Sequence, residues 1–214
     1  MEPNKPADPA RASAGPNPNG ARKRGRWMLW LVLLVCASPL IASYFTYYVI
    51  KPEKRNNYGT LIDQRAHPIP AMATTTLDGR PQALDQFKGK WVMLMVGPGA
   101  CPEACQKQLF AMRQLRLMQG KEADRIERVW LITDKEPLDT IVIREYDGTH
   151  MLRADAATVS GWLPADAGTT PADHLYLIDP LGHLMMRFPK DPQFQEVRKV
   201  YKDINKLLKA SSVG

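Results

Sequence analysis

The sequence predicts one transmembrane helix followed by a single α/β domain, and two observations support this fold class. First, residues 27–50 form an apolar segment without a charged side chain near the N-terminus. Second, the remaining sequence alternates short apolar runs, typical of buried strands, with longer segments of helical periodicity. That alternation indicates a sheet covered by helices. A chain of 214 residues has room for one such span and one domain of about 150 residues.

The basic character of the chain does not indicate a nucleic-acid-binding protein. The formal net charge is +7, but the basic residues are spread along the sequence instead of forming one patch. Their one dense cluster comprises Arg22, Lys23, Arg24 and Arg26, directly before the apolar segment. Positive residues beside a membrane span are a signal of membrane topology. We therefore expect the partner of this cluster to be the membrane.

Residues 27–50 are long enough to act as a membrane anchor. At 1.5 Å per residue they exceed a hydrocarbon core of about 30 Å. Tryptophan at the start and tyrosine at the end suit the two membrane interfaces. A cleaved signal peptide is the alternative, but its apolar region usually runs only about 7 to 15 residues. The polar residues before the anchor, 1–26, predict a disordered tail because they contain few large apolar side chains.

The charges that flank the anchor predict its orientation. The basic cluster before the anchor is denser than Lys51, Lys54 and Arg55 after it, although both groups lie equally close. We therefore place the N-terminus in the cytoplasm and the domain on the extracytoplasmic, or periplasmic, side of an inner or cytoplasmic membrane. Residues 51–70 are polar and interrupted by proline, which predicts a stalk. The domain itself is predicted to span residues 71–210.

The first half of the domain contains a hairpin turn, two strands and a helix. Asp78-Gly79 is a strong hairpin signal between β-prone runs. The apolar run 91–96 predicts a strand that is covered on both faces. Apolar residues recur at helical spacing from Cys101 to Gln119, and residues 129–132 predict a second buried strand.

The second half of the domain has one segment of undecided structure. Residues 138–146 fit a helix or a strand equally well. Residues 174–188 predict two strands around a turn at 180–182, and residues 192–209 predict a basic amphipathic helix.

The two cysteines of the domain, Cys101 and Cys105, are its most informative feature. They follow a buried strand and a Gly/Pro turn and are predicted on adjacent turns at the start of a helix. Pro102 suits the first turn of that helix. The free amides and dipole of a helix N-terminus favour thiolate, which is both a redox nucleophile and a soft ligand for Cu(I). The alternative is that both cysteines simply pack as small hydrophobic side chains.

From about residue 70 to 210, and in its single anchor, the chain resembles the Sco family of thioredoxin-like (Sco/peroxiredoxin-like) proteins that assist cytochrome c oxidase assembly. The shared features are Gly89-Lys90, Gly97 to Ala100, Cys101-Pro102, Cys105, Asp134 and Asp139-Thr140. The resemblance implies that Cys101 and Cys105 bind Cu(I) or reduce the cysteines of the oxidase's dinuclear copper site. It also implies that the partner is the copper-bearing subunit of that oxidase.

The chain departs from the family pattern at two places. Gln106 stands where the family has a second proline, and Pro171 stands where it has a third copper ligand, a histidine. His174 is the remaining candidate for a third ligand with the two cysteines, and we expect its side chain to be exposed. The alternative is an ordinary polar residue at a strand start. A proline at this place is typical of thiol–disulfide members of the superfamily, often as a cis peptide, so Pro171 favours redox chemistry.

The sequence is therefore consistent with two functions. One is a copper-handling assembly factor that holds Cu(I) at Cys101 and Cys105, with or without His174. The other is an oxidoreductase of protein thiols, in which one cysteine attacks a partner disulfide and the other resolves the mixed disulfide. A reversible disulfide between Cys101 and Cys105 is expected in that case. An interaction domain without chemistry is a third class, and the placement of the cysteines argues against it.

Overall fold

A computed structural model of the chain describes residues 18–50, 57–189 and 194–211. It divides into two compact units, residues 1–55 and residues 56–214, which are described separately.

The N-terminal unit contains one long helix. Helix α1 (Pro18–Phe45) continues into a short π-helix, Thr46–Ile50. Its segment Trp27–Tyr48 is 22 residues long with a mean hydropathy of 2.1, and by length and composition alone it could cross a membrane. The prediction of a disordered tail over residues 1–26 is wrong for residues 18–26, which are helical. Residues 1–17 lie outside the described residues.

The C-terminal unit is built on a seven-stranded mixed sheet of order β1-β7-β6-β3-β4-β5-β2. The strands are β1 (Thr60–Leu61), β2 (Thr75–Thr76), β3 (Trp91–Gly97), β4 (Ile126–Ile132), β5 (Thr149–Arg153), β6 (Leu175–Ile178) and β7 (Leu184–Phe188). Strands β3, β4 and β5 are parallel, whereas β6 runs antiparallel to β3, and β7 runs antiparallel to β6.

Helices cover both faces of the central strands. On one face Met93 and Met95 of β3 share a core with helices α2 (Glu103–Met118), α3 (Thr140–Glu145) and α5 (Phe194–Ala210). On the other face the alternate side chains of β3 pack with helix α4 (Ala156–Trp162) and the short turn Leu84–Phe87. Every residue of β3 is buried, as its uninterrupted apolar run predicts.

Most of the predicted elements are confirmed. The strands at 91–96 and 129–132, the strand pair at 174–188, the helix after the cysteines and the C-terminal helix are all present. The Asp78-Gly79 turn is also present, with Gly79 at a φ of 77°. The undecided segment is helical, because the Asp139 side chain caps α3 by accepting a hydrogen bond from the Ile141 amide at 2.8 Å. Strand β5 and helix α4 were not predicted.

The predicted stalk is wrong for residues 57–70, which belong to the domain. Strand β1 pairs with β7, and the Ile69 amide donates a hydrogen bond to the Gly182 carbonyl at 3.0 Å. The buried Asp203 carboxylate of α5 accepts hydrogen bonds from the amides of Tyr58 at 2.6 Å and Gly59 at 3.0 Å. No sequence pattern indicates this pairing, because β1 has only two residues, too few to show an alternating pattern.

Candidate functional site

The cysteine site lies where the central strand β3 ends and helix α2 begins. The chain turns after Gly97, and the Cys101 amide donates a hydrogen bond to the Pro98 carbonyl at 3.1 Å. Cys101 has a left-handed backbone with a φ of 40°. Helix α2 then starts at Glu103, with Pro102 in the N-cap position.

This arrangement corrects the predicted position of the two cysteines. Only Cys105 lies in the first turn of α2, whereas Cys101 lies in the loop before the helix. Pro102 caps the helix instead of occupying its first turn. The left-handed backbone of Cys101 therefore turns its side chain toward Cys105. The helix does not have to unwind for the two cysteines to bond.

Cys101 and Cys105 form a disulfide, with their Cα atoms 5.1 Å apart. Both residues are buried, at 1% and 7% exposure, in the same core cluster as Met95 and Trp130. The structure therefore confirms that the pair can bond within the chain. Its reversibility stays a prediction.

Asp134 holds the loop that precedes Cys101. Its carboxylate accepts hydrogen bonds from the Gly99 amide at 2.9 and 3.1 Å and from the Glu136 amide at 3.2 Å. The Arg153 guanidinium in turn donates to the carbonyls of Asp134 at 2.6 Å and Glu136 at 2.8 Å. A side chain at Gly99 would place its Cβ only 2.6 Å from the Glu136 carbonyl oxygen, so glycine is required here. The turn before the cysteines is thus clamped to the loop after β4.

Gln106 and Tyr146 hold the other side of the site. The Gln106 side-chain amide donates a hydrogen bond to the Cys101 carbonyl at 3.2 Å. The Tyr146 hydroxyl donates to the Gln106 carbonyl at 3.2 Å, and burial raises the pKa of Tyr146, which keeps it a neutral donor. Sequence reasoning treated Gln106 only as a departure from a family pattern and missed its contact with Cys101. A proline could not make that contact because it lacks a side-chain donor.

His174 does not lie where the sequence analysis expected it. It is completely buried, although an exposed side chain was expected. Its Nδ1 donates a hydrogen bond to the Phe188 carbonyl at 2.9 Å, and its Nε2 lies 2.7 Å from the Thr169 hydroxyl. His174 is extended and directly precedes Leu175, which packs in the cluster that contains the cysteines. Its ring therefore points to the opposite face of the sheet.

The structure brings Cys101 and Cys105 together but does not bring His174 to them. Among the described residues, no group of three or more His, Cys, Asp and Glu side chains could hold a metal ion. His174 as a copper ligand stays a prediction, and it would require the ring to release its partners. Pro171 begins the short turn Pro171–Asp173, and no peptide bond in the described part of the chain is cis. Pro171 therefore lacks the cis peptide bond that such prolines often have.

Comparison with known proteins assigns the domain to a family. Residues 91–211 match the family described as the transmembrane-like, thioredoxin-like, C-terminal domain. The chain belongs to this family. The matched residues of this thioredoxin-like domain run from the start of β3 to the end of α5, so they include both cysteines, Asp134 and His174. No curated protein matches the chain.

Several solved structures share the thioredoxin-like fold. Yeast Sco1 is 14% identical with a TM-score of 0.51, and the match covers 67% of this chain and 96% of Sco1. A SCO1/SenC family lipoprotein from Bacillus anthracis is 16% identical with a TM-score of 0.51, covering 67% of this chain and 94% of the lipoprotein. BsSco, described as a Sco-family cytochrome c oxidase assembly protein with a disulfide switch, is 15% identical with a TM-score of 0.50, covering 67% of this chain and 92% of BsSco. At these identities the likeness establishes the fold.

The burial of His174 predicts a structural role that is separate from any role at the cysteines. His174→Ala should lower the free energy of unfolding by about 2 to 4 kcal/mol, because it removes the hydrogen bond to the Phe188 carbonyl and opens a cavity. Denaturant unfolding of the full chain in detergent micelles measures this change. His183→Ala is the matched control, since that side chain is 37% exposed and should change stability by less than about 0.5 kcal/mol. Equal effects of the two substitutions would contradict the burial of His174.

Proposed function

We propose that this chain is a membrane-anchored thiol–disulfide protein for cytochrome c oxidase assembly, in which Cys101 and Cys105 reduce the cysteines of the oxidase's dinuclear copper site. The observation that carries this proposal is the bonded cysteine pair at the junction of β3 and α2. The loops on both sides of this pair are held by hydrogen bonds from Gly99, Gln106 and Glu136.

The chemistry requires the pair to cycle between disulfide and dithiol. In the reduced protein, the thiolate of one cysteine attacks a sulfur of the client disulfide and forms a mixed disulfide. One client sulfur leaves as a thiolate and takes a proton. The second cysteine of the pair then attacks the mixed disulfide, releases the other client thiol and restores the Cys101–Cys105 bond. Two electrons pass to the client, and a dithiol protein must supply two electrons to reduce the pair again.

The position of Cys105 favours this chemistry. Cys105 lies in the first turn of α2, a helix of 16 residues. The unpaired amides and the positive end of the dipole at a helix N-terminus stabilise a thiolate. Because Cys101 is also within bonding distance, the pair can attack a client and then release it.

The proposed client rests on likeness to the Sco family. Several of the sequence features shared with that family lie around the cysteines, and another, Asp134, holds the loop before Cys101. BsSco, which has the same fold, is described as a member of the Sco family of cytochrome c oxidase assembly proteins. The copper-bearing subunit of that oxidase is therefore the client that we propose.

Delivery of Cu(I) as cargo is the second candidate function. In the reduced protein, Cys101 and Cys105 are two adjacent soft donors, which suit Cu(I). His174 would complete a three-ligand set only after its ring had left the Phe188 carbonyl. The bonded pair offers no thiolate, so copper binding and the disulfide exclude each other.

Reduction of the client tests the proposed function. The reduced full chain is mixed with the oxidised copper-bearing subunit without oxygen, and client thiols are counted by alkylation and mass spectrometry. We expect two client thiols for each protein chain, and none with Cys101→Ser, Cys105→Ser. Of the two single variants, the one that keeps the attacking cysteine should stop at a mixed disulfide, because the resolving cysteine is missing. A folded, reduced wild-type chain that leaves the client oxidised would contradict the proposal.

A Cu(I) titration with a competing chelator separates the two candidate functions. If the reduced wild type binds one Cu(I) and the double serine variant does not, the cysteines hold the cargo. His174→Ala should then weaken binding severalfold only if His174 is a ligand. If the wild type binds no better than the double variant, delivery of copper by this pair is excluded and thiol reduction remains.

We also propose that α1 anchors the chain in an inner or cytoplasmic membrane, with the N-terminus in the cytoplasm and the domain outside it. The length and hydropathy of Trp27–Tyr48 and the basic cluster before it support this topology. An extracytoplasmic compartment also permits disulfide chemistry.

A reporter fusion tests this topology. Alkaline phosphatase fused after Gly214 should be active, because that enzyme requires an oxidising compartment. Replacing Arg22, Lys23, Arg24 and Arg26 by glutamine should reduce that activity, since the positive charges specify the cytoplasmic side. An inactive fusion that is present in normal amount would contradict the proposed orientation.

A further inference from the structure

Trp130 has a buried donor group without a partner, close to the cysteine pair. It lies in the middle of β4, its exposure is 0%, and it belongs to the same core cluster as Cys101 and Cys105. Its indole Nε1 is fully buried and forms no hydrogen bond with any described residue. A buried N–H group that has lost water and gained no acceptor needs a physical explanation.

Gly97 leaves open a space that both this donor and a cysteine sulfur border. A Cβ atom built at Gly97 would lie 3.3 Å from Trp130 Nε1 and 3.6 Å from Cys105 Sγ. The indole nitrogen and the sulfur therefore border the same small space, which is open because Gly97 has no side chain. The strand register explains this, since Gly97 pairs with Ile132 and Met95 pairs with Trp130.

We propose that Trp130 is a positioning residue whose indole N–H donates a hydrogen bond to Cys105 Sγ when the disulfide is reduced. This inference rests on the cycling pair of the proposed function. In the disulfide, the sulfur of Cys105 is bonded to Cys101 and does not accept from the indole. Reduction frees it to rotate into the space beside Gly97, where the donor is already in place.

The hydrogen bond changes the balance between the two forms. In reduction by glutathione, two glutathione thiols are oxidised to one glutathione disulfide. The Cys101–Cys105 bond takes up the two electrons and two protons and becomes two thiols. Because the indole binds only the reduced form, it should raise the equilibrium constant for this reaction.

The chain offers a matched control for Trp130. Trp91 is also buried in the same core cluster, and its Nε1 also has no partner within the described part of the chain. It lies at the opposite end of β3 from Gly97, about 20 Å away at 3.3 Å per residue. Removing either indole thus disturbs the core similarly, but only Trp130 lies beside a cysteine.

The test measures the glutathione equilibrium of the full chain in detergent micelles, with the reduced fraction determined by alkylation. Trp130→Phe should lower the equilibrium constant about three- to tenfold, where tenfold corresponds to about 30 mV for a two-electron couple. Gly97→Ala, which keeps the indole but places a methyl group in the space beside it, should lower the constant in the same direction. Trp91→Phe should leave it unchanged.

A second readout reports the hydrogen bond directly. The indole ¹H–¹⁵N resonance that disappears in Trp130→Phe is assigned to Trp130. We expect this resonance to move when the wild type is reduced, whereas the resonance of Trp91 stays in place. If Trp130→Phe fails to fold, the indole resonance is assigned through the backbone resonances of Trp130 in the wild type, and it decides the question together with Gly97→Ala.

The outcomes distinguish failure of this inference from failure of the proposed function. A folded wild-type pair that neither glutathione nor a small dithiol such as dithiothreitol can reduce would overturn the proposed function. A pair that cycles normally, with an unchanged equilibrium constant in Trp130→Phe and an unmoved resonance, would overturn only the role of Trp130. Equal shifts in Trp130→Phe and Trp91→Phe would overturn it too, since they would indicate a general effect on the core.

Discussion

The disulfide between Cys101 and Cys105 joins the loop after β3 to the first turn of α2, and the surrounding structure depends on keeping these two residues close. Cys101 reaches Cys105 through a left-handed backbone conformation, which most residues adopt only at a cost. Hydrogen bonds from Gly99 to Asp134 and from Gln106 to the Cys101 carbonyl hold that conformation from both sides. The site is therefore fixed by its loops as well as by the helix.

Much of the fold could be predicted because its central strands are buried on both faces. Strand β3 appears in the sequence as an uninterrupted apolar run, and α2 appears as a helical repeat of apolar residues. Short elements leave no such signal. Strand β1 has two residues, and its place in the sheet depends on pairing with β7 and on the contact of Asp203 with Tyr58. Those are tertiary contacts, which local sequence patterns do not contain.

The candidate site was predictable in its chemistry but not in its geometry. The spacing and position of Cys101 and Cys105 in the sequence alone indicate a bonded or metal-binding pair. The position of His174 was not predictable from the sequence. Alternation along an extended segment places His174 and Leu175 on opposite faces of the sheet, but only the register of β6 shows that Leu175 shares its face with the cysteines. Gln106 was missed because its role is a contact with the Cys101 carbonyl, which no residue pattern encodes.

The central claim is that Cys101 and Cys105 form a disulfide that opens and closes while the domain stays folded, and counting alkylated cysteines tests it most directly. The chain has three cysteines, and Cys36 of α1 is free. The oxidised chain, alkylated after denaturation, should carry one adduct. After mild reduction of the folded chain it should carry three, and reoxidation should restore one, with an unchanged circular dichroism spectrum. Three adducts on the folded chain under oxidising conditions, or loss of the fold on reduction, would contradict the account.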